Sequence, residues 1–210
     1  MGLAEDVAEI GRLIDAYDGR CPACHVIVDG QLPPPEMRGE LLSSPGWVEC
    51  RVLPSTLTLT DVVVLEREYG IEFPPAYRAY LLARFHLHDQ VHAHRHDDQL
   101  IFWTAVPSRD SFRPLRERID QWRPLIDAGY IPFAEWGDAW GPMCFDTAQR
   151  RPDGECPVVW MDHDLLHRVV LDRCGERQNL EPLAQRLYDS SRELILDVFS
   201  IPSQARGTNQ

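Results

Sequence analysis

The sequence predicts an α+β domain, and three observations carry that expectation. A helix–stop–helix pair runs from about residue 60 to residue 85. A series of short apolar runs between residues 100 and 162 reads as a strand meander. An amphipathic helix then closes the chain ahead of a polar tail. Helices grouped around a run of strands, rather than alternating with them one for one, define this class. A length of 210 residues, 44% hydrophobic and 26% charged, is enough for one well-packed core with an elaborated terminus.

Leu3, Val7, Ile10, Leu13, Ile14 and Tyr17 recur at the spacing of one helical face. They predict a first helix over residues 3–17, closed by Asp18-Gly19. Residues 19–46 hold the pentad Cys21-Pro22-Ala23-Cys24-His25, the run Val26-Ile27-Val28 and the triplet Pro33-Pro34-Pro35. Three consecutive prolines cannot donate ladder hydrogen bonds, so this part reads as an extended connector. Trp47 to Leu53 alternates apolar and polar residues, as a short strand does.

Thr60-Asp61 supplies a capping side chain and a first-turn carboxylate for the second helix. Val62, Val63, Leu65 and Tyr69 form its inner stripe, and Gly70 ends it. Pro74-Pro75 opens the third helix, where a missing N–H costs nothing, and Tyr77, Tyr80, Leu81 and Phe85 face inward. Residues 86–99 are polar, rich in histidine and predicted to form a loop. Leu100 to Val106 is the plainest strand, ended by Pro107. Residues 108–127 are helical in spacing, with Leu115, Ile119, Trp122 and Ile126 inward. Tyr130 to Ala134, Pro142 to Asp146 and Pro157 to Asp162 read as three strands. A last helix over about 180–199 carries Leu183, Leu187, Leu194, Ile195, Val198 and Phe199. The expected organisation is an N-terminal helical and extended elaboration over residues 1–55, a main domain over 56–201, and a disordered tail over 202–210.

The formal charge is −12, and every basic residue is arginine. That balance argues against nucleic acid or an anionic membrane as the main partner, since both reward a basic face. It suits a cationic protein partner, which an acidic surface attracts and orients. No segment approaches the roughly 18 apolar residues of a membrane helix. Residues 1–18 lack the basic start and apolar run of a secretory signal. The expected location is therefore cytoplasmic, with the six cysteines as reduced thiols.

Three constellations bear on chemistry. Cys21 and Cys24 have the spacing of half a zinc site, which Cys50, Cys144, Cys156 or Cys174 would have to complete from a distance. An incidental thiol pair is the preferred alternative. Haem attachment is disfavoured by compartment, and a thioredoxin-like role by the missing preceding strand. His92, His94 and His96 alternate and would share one side of an extended chain, where neutral imidazoles can hold zinc, nickel or copper. A solvated loop is preferred there. Asp162-His163-Asp164 invites a hydrolase assignment, but it stands without HExxH, GxSxG, P-loop or GxGxxG companions. Acidic turn residues at a strand end are the simpler account. The expectation is of no cofactor, with zinc as the one alternative, and of no catalysis.

The stretch from Ile131 to Asp172 carries eight carboxylates against three arginines, several beside Trp136, Trp140 and Trp160. Aromatic anchors inside an acidic rim fit a cationic protein surface, the indoles supplying area and the charges orientation. Glu135, Trp136, Asp138, Trp140, Asp162 and Asp164 are the expected partner-binding residues. Trp160, mid-strand, is as readily a core residue.

The order of these features resembles a known family. A helix with Glu66 and Gly70 leads to Phe73-Pro74 and Tyr77. After the strand Leu100 to Val106 comes Ile131-Pro132-Phe133-Ala134-Glu135-Trp136-Gly137-Asp138, and then Met143-Cys144-Phe145-Asp146. Val158-Val159-Trp160-Met161-Asp162-His163-Asp164 follows, with a terminal helix near Ser190-Ser191. This resembles the SMI1/KNR4 family of the SUKH superfamily over residues 56–199. The resemblance implies a mixed, mainly antiparallel sheet flanked by helices. In bacteria it implies an immunity protein that neutralises a polymorphic toxin, often a nuclease; fungal relatives imply a regulatory interaction protein. Protein binding without catalysis is the shared theme. The alternatives are a metal-dependent enzyme or metal-binding protein using the histidine segment or Cys21/Cys24, and a regulatory scaffold with no toxin partner.

Overall fold

The computed structural model describes residues 2–19, 26–28, 34–41, 47–87, 90–169 and 175–200. Cys21, Cys24, Cys174, His88 and the tail 202–210 lie outside the described residues, and so do the expectations placed on them.

In chain order the elements are α1 (Leu3–Asp18), β1 (Val26–Val28), β2 (Arg38–Leu41), β3 (Trp47–Cys50), β4 (Leu53–Pro54), α2 (Leu59–Tyr69), α3 (Pro75–Ala83) and β5 (Arg84–Phe85). There follow β6 (Gln90–Ala93), β7 (Asp98–Phe102), α4 (Arg113–Gln121), α5 (Pro124–Asp127), β8 (Tyr130–Trp136) and β9 (Gly141–Asp146). The chain closes with β10 (Val158–Trp160), α6 (His163–Arg168), α7 (Arg177–Leu180), β11 (Gln185–Tyr188) and α8 (Ser191–Phe199). A six-stranded sheet in the order β11-β10-β9-β8-β7-β6 is the centre of the molecule, beside smaller sheets β1-β3-β2 and β4-β5. Its ladders are antiparallel throughout. The fold is α+β, as the sequence predicts.

Apolar alternation sorts the sheet's two faces. Val91, Ala93, Leu100, Phe102, Ile131, Phe133, Met143, Phe145 and Val158 enter the main core under α1, α2, α3 and α8. Tyr130, Cys144, Val159 and Met161 face the other way, into a smaller core with Leu125, Leu166 and Leu180 from α5, α6 and α7. Aromatic rings fill the main core: Tyr77 meets Phe73, Tyr80, Phe133 and Phe145, with Phe133 stacked on Phe145 at 3.9 Å.

Three buried carboxylates, Glu66, Glu155 and Asp146, brace the fold through hydrogen bonds. Glu66 takes the Phe73 N–H at 2.7 Å and the Arg78 guanidinium at 2.7 and 2.9 Å, fixing the α2–α3 corner. Glu155 accepts from the Ala76 N–H (2.9 Å), the Ser191 hydroxyl (2.6 Å) and the Arg192 N–H (3.3 Å), tying the starts of α3 and α8 together. Asp146 receives Arg177 through two bonds of 2.8 Å. A buried charge is tolerable only when paired and bonded in this way.

Three expectations need correction. The second helix starts two residues early: Thr58 is the cap, donating its N–H to Asp61 (2.7 Å) and accepting the Asp61 N–H (3.3 Å) in a reciprocal box. Within the segment expected to be a loop, residues 90–93 and 98–99 are strand, because Val91 and Ala93 alternate inward and place β6 against β7 as a hairpin. The expected helix over 180–199 is divided. Pro182 sits in a short 3₁₀ turn, β11 follows as an edge strand on β10, and Ser190 caps α8 by accepting the Glu193 N–H at 3.1 Å.

Candidate functional site

Five of the six expected partner-binding residues converge on one end of the sheet. Glu135 is the next-to-last residue of β8, Asp138 and Trp140 lie in the β8–β9 turn, and Asp162 and Asp164 begin α6. The two segments are joined by hydrogen bonds. The Trp140 carbonyl accepts the His163 N–H and contacts His163 Nδ1, both at 2.9 Å. Gly141 makes the junction sterically possible. Its φ is 144°, and a Cβ there would stand 2.1 Å from the Met161 carbonyl oxygen, so any side chain would force the segments apart.

The turn presents Trp140 rather than burying it. Gly137 has φ 62°, and a Cβ on it would meet the Trp140 ring at 2.7 Å, so the indole lies directly over the glycine. Trp140 is 49% exposed and is one of three large exposed apolar side chains among the described residues, with Leu59 and Val64 on α2. Asp138, two residues before it in the turn, and Asp164, next to the His163 that bonds its carbonyl, are exposed. An indole held from below and flanked by carboxylates offers apolar area with little conformational freedom to lose.

The other expected residues have different roles. Trp136 is 5% exposed, packs into the main core and meets the His96 ring at 5.5 Å; it is not a surface anchor. Trp160 is partly buried against the same core. Asp162 is a helix cap whose carboxylate accepts the Asp164 and Leu165 N–H groups at 2.8 and 3.2 Å, so the triplet with His163 starts a helix instead of ending a strand. Asp146 and Glu155, counted in the acidic stretch, are internal braces. Glu135 is 8% exposed and lines a cavity of 340 Å³ between the β8–β9 turn and the ends of α4, α5 and α6. Burial was the missing signal: in sequence, a braced carboxylate and a free one look alike.

His92, His94 and His96 do not share a face. His92 and His94 sit together, ring centres 5.1 Å apart, with Asp97 3.4 Å from His92. His96 turns away into a cage of Trp136 and Tyr188, its Nε2 3.0 Å from the Leu187 carbonyl. No group of three or more His, Cys, Asp or Glu side chains among the described residues is placed to hold a metal ion. Cys50, Cys144 and Cys156 are buried. Burial pushes the Cys144 thiol well above its usual range and that of Cys156 up to about 11, which removes thiolate nucleophilicity from both.

The SMI1 / KNR4 family (SUKH-1) model matches residues 56–179, more than half the chain and the whole of this site. The chain belongs to the SMI1/KNR4 family. A comparison with curated proteins returned no match. The SUKH-1 match begins beyond α1 and the small β1-β3-β2 sheet, so both are additions to the matched region. No helix among the described residues is long and apolar enough to cross a membrane.

Proposed function

We propose that this SMI1/KNR4 domain is an immunity protein, which neutralises a cationic, secreted protein toxin by covering its active surface. The observation that carries the proposal is Trp140, half exposed, seated over Gly137 and flanked by Asp138 and Asp164. Family membership supports binding as the mode of action, as the SUKH resemblance implies. The net charge of −12 favours a basic partner over nucleic acid or an anionic membrane. Occlusion needs no cofactor and no bond-breaking step. The domain would act in the cytoplasm, where the toxin's target lies.

Growth rescue tests this directly. If a toxin domain is encoded beside this gene, cells expressing it should survive when the wild-type chain is co-expressed. Trp140→Ala should weaken binding by about tenfold or more, as loss of a central anchor does, while the purified variant keeps its unfolding midpoint. Asp138→Asn with Asp164→Asn should chiefly slow association and flatten its salt dependence. Full protection by a folded Trp140→Ala, Asp138→Asn, Asp164→Asn triple variant would remove this surface from the mechanism.

A further inference from the structure

We propose that the cavity beside Trp140 is a socket for one arginine side chain of the partner, with the Glu135 carboxylate as its counter-charge. The inference rests on the protein-binding function proposed above and names the chemistry of one contact within it.

Glu135 reaches the cavity because of a backbone irregularity. In β8, Ile131 faces the main core and Tyr130 the smaller one. Strict alternation would then return Glu135 to the main core. The register shifts between Pro132 and Ala134, so Phe133 and Ala134 both face the main core and Glu135 comes out on the other side. Such a bulge re-aims every residue that follows it.

The carboxylate is unlike the other buried ones. Glu66, Asp146 and Glu155 each have an arginine or two or more donors at 2.6–3.3 Å. Glu135 is nine-tenths buried, yet no described residue donates a hydrogen bond or ion pair to its carboxylate. Arg118 also lines the cavity but bonds to Gln121 Oε1 at 3.1 Å, with no ion pair to Glu135. Its oxygens are open only toward the cavity, so an incoming donor there would take the place of water at an acceptor that no described side chain serves.

The walls suit a guanidinium. Trp122, Pro124, Leu125 and Leu166 supply apolar contact for a methylene stem and an aromatic face. A volume of 340 Å³ lies at the low end of the roughly 300–1,000 Å³ of ligand sites, which suits a side chain better than a folded segment. A planar fork can bond both carboxylate oxygens at once, which a lysine ammonium cannot. Ala139 also lines the cavity, and His163 both lines it and bonds the Trp140 carbonyl, so the socket is continuous with the exposed indole.

The test is a titration of the full chain followed by amide chemical shifts. N-acetyl-arginine methylamide should give saturable shifts confined to the lining of the cavity. Its neutral isostere N-acetyl-citrulline methylamide should bind at least about tenfold more weakly. Glu135→Gln should abolish the arginine response. Arg118→Gln, an exposed change on α4 that leaves both cores intact, should tighten it, because Arg118 is the one fixed positive charge in the lining. Equal binding of arginine and citrulline probes would overturn the proposal, as would weaker arginine binding in Arg118→Gln or no saturable response in the wild type. A Glu135→Gln chain that still protects cells fully, with its arginine response lost, sinks the socket's role in recognition while leaving the toxin-neutralising function standing. A wild type that binds the arginine probe yet gives no protection removes that function and leaves the socket.

Discussion

Gly141 shows how one missing side chain can set the geometry of a binding surface. The β8–β9 turn and the start of α6 meet closely enough that the Met161 carbonyl occupies the space a Cβ would take. At φ 144° a side chain would also be strained by its own backbone. Gly141→Ala should therefore cost on the order of 2–4 kcal/mol, because both the contact and the dihedral must change. Urea unfolding measures the loss. Amide exchange at His163 should report its location, since the hydrogen bond to the Trp140 carbonyl opens first. A stability within about 0.5 kcal/mol of the wild type would mean that the turn and α6 are not mutually fixed, and that Trp140 is not held rigidly.

At the scale of elements, the histidine segment is the most instructive. Its β6–β7 hairpin docks by its turn onto α8: the Arg95 N–H reaches Asp197 at 3.1 Å, the Arg95 guanidinium pairs with Glu193 at 2.5 Å, and Tyr188 donates to Asp197 at 2.8 Å. The Arg95 guanidinium, with help from the Asp189 N–H, holds the Glu193 carboxyl below its usual value near 4.5. A depressed carboxyl contributes stability above its unfolded value and loses it as pH falls through the folded one. The thermal midpoint should therefore drop on the acid side of about pH 4.5, and Glu193→Gln should flatten that limb by lowering the midpoint near neutrality toward its acid value. An unchanged acid limb in the variant would show that the pair is not coupled to folding. The same hairpin marks where the sequence became hard to read. Long stripes such as Val62, Leu65 and Tyr69 were legible as a helix because several turns repeat them. β6 offers only Val91 and Ala93 between polar neighbours, and β11 only Leu187 and Tyr188, too few positions for a period to stand out. Trp140 and Asp164 were legible as surface because they flank turn residues. Trp136 and Glu155 were not legible as interior, since burial there comes from strands and helices distant in the chain.

For the whole molecule, the question is whether the region matched by the family is sufficient by itself. The match starts at residue 56, yet α1 packs along α3 and α8 and puts Ile10 and Ile14 into the main core. Ion pairs fasten it at both ends: Arg84 meets Asp15 at 2.6 and 2.8 Å, and Arg192 meets Asp6 at 2.7 Å with Glu9 alongside. These pairs are partly exposed, so the isoleucines should carry most of the stabilisation. Ile14 has no exposed surface, and replacing it by alanine should cost about 2–5 kcal/mol through lost transfer energy and the cavity left behind. For a chain of this size that corresponds to a fall of roughly 5–15 °C in Tm. Arg84→Leu, by contrast, should shift the midpoint little, since its partner Asp15 is about half exposed. Differential scanning calorimetry distinguishes two arrangements. One transition that moves as a unit in Ile14→Ala means that α1 is part of the cooperative domain, and that the rigidity of the Trp140 face depends on residues the family match does not include. An early, separate transition that leaves the main one in place would mean that α1 is an appendage, and that the matched region with its acidic end stands alone.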